Sequence, residues 1–222
     1  MKRGLIGTGL FIIMLSLAIT LVKVVIPAFA ADTEEEIVNQ SELGETYIGD
    51  VVADAMKAAL GADIALVNGG ALGYTDLPEK ITEKTVAAIV PFDTDIVVVV
   101  KLKGDALRRA LEKSCSLLPR RSSTFLQVAG IEFTCDLNKP ASKRVSGITV
   151  GGKALAPDKE YAVAATEFLC GGGGGMKEFR EGKIVSEEGK PIGDIVLENA
   201  RYSKKNIDSP EGRITIIPVE EK

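Results

Sequence analysis

The sequence predicts one α+β domain, mixed in its order of helices and strands, behind an N-terminal export segment. Three observations predict it. Residues 46–60 place Ile48, Val51, Val52, Ala55, Met56, Ala59 and Leu60 at helical spacing, which builds one apolar face at 3.6 residues per turn. Residues 95–103 (DIVVVVKLK) are a β-branched run of strand length. Helical and strand patterns then follow one another without an internal repeat or a linker, as in a single layered domain with a mixed sheet and packed helices.

The elements follow in order. Gly61 stops the first helix, because a residue after a helix often adopts a left-handed conformation that glycine takes freely. Residues 63–68 (DIALVN) read as a short buried strand, followed by a loop through Gly69, Gly70 and Gly73. Thr82 can cap a short helix to about Val90, ended by Pro91. A second amphipathic helix runs from Gly104 to Leu118, with Leu107, Ala110, Leu111, Ser114 and Cys115 on its inner face. Residues 125–137 read as a strand with an interruption at Gly130, and residues 145–150 and 161–166 as two more. Gly151 and Gly152 supply a tight turn. After the five glycines 171–175, a short helix is expected over 176–182 and another over 191–203, with Pro191 at its first position. Residues 213–219 (RITIIPV) close the chain as a strand.

The chain of 222 residues is 45% hydrophobic and 26% charged, ordinary for a folded domain. Its first thirty residues join a basic start (Lys2, Arg3) to a long apolar run and end in Ala28-Phe29-Ala30. That is the pattern of a signal peptide cleaved before Ala31; the competing reading is an uncleaved anchor, which would be the chain's one route to a membrane. The expected division is 1–30 export segment, 31–44 polar lead-in and 45–219 folded domain, working in the periplasm, at the cell surface or secreted. The part beyond residue 30 holds 24 basic against 31 acidic residues, a charge of −7. Such a surface repels phosphate backbones and argues against a nucleic-acid partner. No histidine is present, which removes histidine-dependent triads, histidine-ligated zinc and the commonest general base. Cys115, Cys135 and Cys170 lack metal-ligand spacing. They read as small buried side chains with room for one bridge and one thiol left over. No metal or cofactor is expected.

The loop motifs come in a definite order: Glu45-Thr46-Tyr47-Ile48-Gly49-Asp50, Asn68-Gly69-Gly70, Val90-Pro91-Phe92, residues 125–130 (FLQVAG), Phe168-Leu169 before the glycine run, and Glu211-Gly212-Arg213-Ile214. Together they resemble the C-terminal domain of the 5′-nucleotidase and UDP-sugar hydrolase family, over about residues 45–217. The resemblance implies a layered α-β-β-α domain that stacks a nucleotide base between two Phe rings. It also implies an N-terminal metallophosphoesterase domain with two metal ions, for which this chain has no histidine and no length. Phe92 and Phe168 match the stacking pair, and Asn68 the residue that hydrogen-bonds the base edge. A lone Phe is more often core packing, but both follow loop-forming sequence at positions that match the family.

Departures from the family pattern are equally specific. Gly73 and Gly44 stand where the family has Arg, and Gly174 where it has a ribose-binding Asp. Gly69, Gly70, Gly73, Gly172, Gly173 and Gly174 remain candidates for backbone contacts to a ligand. The first functional reading is recognition of a nucleoside or nucleotide, with hydrolysis only beside a separately encoded metallophosphoesterase. A second is a degenerate member serving as a cell-envelope interaction module. A third is intrinsic metal-dependent hydrolysis through Asp50, Asp54, Asp93 and Asp95, against which stands the plainer reading of Asp50 and Asp54 as a solvated or capping pair.

Overall fold

The computed structural model describes residues 39–73, 77–201 and 210–220, all within the compact unit Val38–Lys222. The export segment 1–30, residues 31–38 of the lead-in and the last two residues of the helix expected over 191–203 lie outside the described residues.

The first helix, α1 (Tyr47–Leu60), forms as its spacing predicts, with the Thr46 hydroxyl accepting from Gly49 N and Gly61 left-handed at φ 60°. Strand β1 (Ile64–Asn68) follows, then the short helix α2 (Val86–Ile89), β2 (Ile96–Lys103) and α3 (Gly104–Cys115). Next come β3 (Leu126–Ala129), β4 (Ile131–Asp136), β5 (Val145–Val150), β6 (Lys153–Ala154) and β7 (Glu160–Thr166). The chain ends through α4 (Glu167–Cys170), β8 (Lys183–Ile184), β9 (Lys190–Pro191), α5 (Ile192–Asn199) and β10 (Ile214–Ile217).

Two sheets result. The larger has the order β3-β1-β7-β2-β8, with β9 also paired to β2. It is mixed, since β1 and β7 run parallel while β3 and β2 flank them antiparallel. Its two faces follow strand alternation. Ala65, Val67, Ala129 and Ala164 face α1 and α5 in one core. Ile64, Leu66, Val100 and Val163 share a second core with α3 and the smaller sheet, whose order is β10-β4-β5-β6. Alanines on the first face let α1 lie close, and the larger aliphatics fill the second. Each such side chain, fully buried, contributes roughly 1.5–3 kcal/mol.

Four of the expected elements take a different form, and α4, β6, β8 and β9 were not expected. The strand expected over 125–137 is two strands in two sheets. The chain turns between them at Gly130, where φ is +73° and a Cβ would overlap the Asp63 carbonyl oxygen. The helix expected from Thr82 begins only at Val86, because Thr82 and Thr85 close a turn on each other, with Thr82 N bonded to Thr85 Oγ1 at 2.9 Å. Helix α3 stops at Cys115 instead of Leu118. Arg144 Nη1 takes up the released Cys115 and Leu118 carbonyls, both at 2.8 Å. Pro191 precedes α5 as its cap and pairs with β2, so it is not the first helical residue. Residues Lys177–Glu181 form a 3₁₀ helix.

The two ends of the domain are bonded together. Glu45 accepts from Arg213 N and Ile214 N at 2.9 and 2.8 Å, and Asp50 accepts from Glu211 N at 2.9 Å. Arg213 in turn reaches Asp54 at 2.6 Å, Glu211 at 2.7 Å and the Val128 carbonyl at 2.7 Å. The fully buried Gln127 joins the same region, accepting from Thr46 N and donating to the Ser41 and Gly44 carbonyls. Gly49 is glycine because a Cβ there would overlap the Gln127 amide. Cys115, Cys135 and Cys170 are free, with no bridge among them. Cys115 and Cys135 are buried in the same core, where the neighbouring Cys135 and burial push the Cys115 thiol up, while burial pushes Cys170 up to about 11.

Candidate functional site

Three segments converge at one end of the larger sheet. Asn68 ends β1 and leads into a 3₁₀ turn, Gly69–Ala71. The buried Asn39 pins that turn through its amide, which donates to the Gly69 and Leu72 carbonyls at 3.0 and 3.1 Å. Phe92 sits in the turn that enters β2, closed by Asp95 N on the Phe92 carbonyl at 2.9 Å. Phe168 rides on α4, whose cap is the Thr166 hydroxyl accepting from Leu169 N.

Asn68, Gly70 and Ala71 line one cleft of about 300 Å³ together with Phe92 and Phe168. Asp95 and Ser123 complete its wall. Neither ring is sealed in the core: Phe92 is 57% exposed and Phe168 50%. Asn68 is only 7% exposed. Its Nδ2 donates to the Ser123 carbonyl at 3.1 Å, the same oxygen that receives Gly70 N at 3.0 Å. Its Oδ1 makes no hydrogen bond with any described residue. The amide is therefore held by one end with its acceptor free, which suits the amino group of a heterocycle.

The candidate glycines separate. Gly70 lines the cleft; Gly69, Gly73, Gly172, Gly173 and Gly174 do not, and close packing explains each. A Cβ on Gly69 would overlap the Ser41 carbonyl oxygen, and one on Gly73 the Ala88 carbonyl oxygen. Gly73 N is bonded to the Ile89 carbonyl at 2.8 Å, so a side chain at this position requires the backbone to move. Gly173 lies against the Phe168 ring, where a Cβ would come within 2.6 Å of Cζ. Gly172 and Gly174 have φ of +80° and +62° and crowd Arg180 and Thr124. The glycine run thus backs one ring of the cleft and does not line it.

Asp95 and Ser123 are the residues that motif reasoning left out of the cleft. Asp95 stood only as a cation candidate, and Ser123 sits in a polar stretch, residues 120–124, that carries no motif. The four carboxylates considered for a cation are divided by the fold. Asp50 and Asp54 both flank Arg213: Asp50 is buried in the first turn of α1 with Arg213 Nε at 3.8 Å, while Asp54 is half exposed and bonds Arg213 at 2.6 Å. Asp95 faces the cleft, and the Asp93 carbonyl holds Gly193 N. Among the described residues no group of three or more His, Cys, Asp or Glu is placed to hold a metal ion.

The family model described as the 5′-nucleotidase C-terminal domain matches residues 26–181. The chain belongs to that family. It is 33% identical over 190 residues to the trifunctional nucleotide phosphoesterase protein YfkN of Bacillus subtilis, covering 80% of this chain and 13% of that protein. It is 30% identical over 194 residues to the 5′-nucleotidase of Bos taurus, covering 77% of this chain and 33% of that protein. The crystal structure of a 5′-nucleotidase precursor from Thermus thermophilus superposes with a TM-score of 0.70 at 28% identity, over 84% of this chain and 38% of that one. The chain thus spans a third or less of the length of these two curated relatives.

Proposed function

We propose that this domain recognises a nucleoside or nucleotide, holding the base between Phe92 and Phe168 while Asn68 reads its edge. One observation carries the reading: two exposed aromatic rings, far apart in the chain, line one cleft with a polar amide. An exposed Phe costs solubility without stabilising the core, so two at one cleft fit a surface kept for a flat apolar partner. The cleft's 300 Å³ stands at the small end of ligand sites, enough for a base and sugar. Stacking contributes about 1–3 kcal/mol per base by alanine substitution. Relatives named as nucleotidases support this ligand class.

Hydrolysis is assigned to a metallophosphoesterase acting beside this domain, since the chain contains no histidine. An extracytoplasmic setting fits the signal-like residues 1–30 and a 30% identical cell wall protein of Listeria monocytogenes, Lmo0130. The test is titration calorimetry of the protein against a panel of purine and pyrimidine nucleosides and nucleotides. Saturable heat that Phe92→Ala and Phe168→Ala each abolish or weaken supports the reading. Silence across the panel at millimolar ligand removes it.

A further inference from the structure

The cleft holds an anion of its own. Asp95 lies on its wall three residues after Phe92. Its backbone is pinned on both sides, by Asp95 N on the Phe92 carbonyl at 2.9 Å and by Ile192 N on the Asp95 carbonyl at 2.8 Å. Its carboxylate has no hydrogen bond and no ion pair with any described residue. No lysine or arginine is among the described residues that line the cleft. The other polar groups there are the Asn68 amide and the exposed Ser123 hydroxyl, both neutral.

This set has a definite chemical preference. A carboxylate accepts hydrogen bonds and offers none, so it favours a ligand that presents hydroxyl donors. The vicinal diol of a ribose presents two. A phosphate monoester carries nearly two negative charges at neutral pH and donates little, so near Asp95 it meets repulsion with no cation to offset it. We propose that the cleft selects the uncharged nucleoside over its 5′-monophosphate, with Asp95 as the residue that sets this specificity by accepting from the sugar hydroxyls. The proposal rests on the nucleoside-or-nucleotide reading of the same cleft and narrows it to one class. In reaction order it places the domain on the product side of a phosphomonoesterase step, holding what remains once phosphate has left.

Calorimetry with the full chain tests it, using adenosine, AMP and 2′,3′-dideoxyadenosine, and uridine with UMP as the pyrimidine pair. The expected result at about 50 mM salt is a nucleoside affinity at least fivefold above that of the monophosphate, with the gap narrowing as salt screens the carboxylate. Loss of the diol should weaken binding to the wild type about tenfold. Asp95→Ala should bring both ratios near one, raising monophosphate affinity while lowering nucleoside affinity, and Asp95→Asn should remove the salt dependence. Since the carboxylate has no partner among the described residues, both variants should unfold at the wild-type temperature. Monophosphate binding equal to or tighter than nucleoside binding overturns the proposal, as do ratios that Asp95→Ala leaves unchanged; the recognition reading survives either. Absence of binding by any of the five compounds takes away both.

Discussion

Replacing Asp50 by Asn should stabilise this protein at neutral and alkaline pH and do nothing in acid. Asp50 is 1% exposed. One carboxylate oxygen accepts from Glu211 N at 2.9 Å; the other, Oδ1, has no hydrogen bond, and the nearest cation, Arg213 Nε, is 3.8 Å away. Burial pushes its carboxyl up to about 7, with the Glu45 and Glu211 charges adding to the rise and the Glu211 N–H and Arg213 opposing it. The folded-state value lies above the unfolded one, so the folded protein holds the extra proton between 3.8 and about 7. The group's contribution is therefore full below about pH 4 and is lost as pH rises through 7. A shift of about three pH units, at 1.36 kcal/mol each, sets a ceiling of roughly 4 kcal/mol. Asn retains an acceptor for Glu211 N but turns an amide donor towards Arg213, so a gain of about 2–4 kcal/mol is expected at about pH 8. Urea unfolding of both proteins from about pH 4 to 8.5 measures it, because other carboxylates cancel in the difference. The stability difference should be near zero at the acid end and climb between about pH 5 and 7. A flat difference, or a less stable variant at pH 8, refutes the reasoning.

Further outcomes follow from the same contacts. Phe92→Ala and Phe168→Ala should each weaken base binding about 5- to 150-fold by calorimetry, with unfolding free energy within about 0.5 kcal/mol of wild type because both rings are exposed. Gln127→Ala leaves Thr46 N and the Ser41 and Gly44 carbonyls without their partner, and should cost about 3 kcal/mol or more in urea unfolding. Thr46→Ala removes the α1 cap and should cost about 1 kcal/mol in the same assay. Gly73→Arg should lower stability by roughly 2 kcal/mol or more, since its Cβ meets the Ala88 carbonyl oxygen. Calorimetry with AMP should show no compensating gain.

Most of the fold was legible because its elements announce themselves locally. The apolar stripe of α1, the β-branched run of β2 and Gly61 or Gly151-Gly152 act through spacing and backbone freedom that neighbouring residues alone decide. The errors fell where distant residues intervene. The interruption of residues 125–137 at Gly130 was legible, but local pattern is blind to the change of sheet that occurs there, where the Asp63 carbonyl packs against Gly130. Helix α3 ends early where Arg144, in the loop just before β5, takes the Cys115 and Leu118 carbonyls.

The site divides in the same way. By itself the sequence determined the fold class, the kinship with 5′-nucleotidase C-terminal domains, and which aromatic and amide side chains to watch, since these reside in short ordered motifs. Only the tertiary structure decided what those motifs do. It put Phe92, Phe168 and Asn68 on one cleft, brought Asp95, legible only as a cation candidate, and the unannounced Ser123 to the same wall, and set Gly73 and Gly173 to packing duty. It also bonded the Glu45–Asp50 motif to the Glu211–Ile214 motif, so that both close the fold and neither lines the cleft. The reason is physical: a motif specifies side-chain chemistry, whereas proximity between segments far apart in the chain is fixed by how strands pair and helices bury their apolar faces.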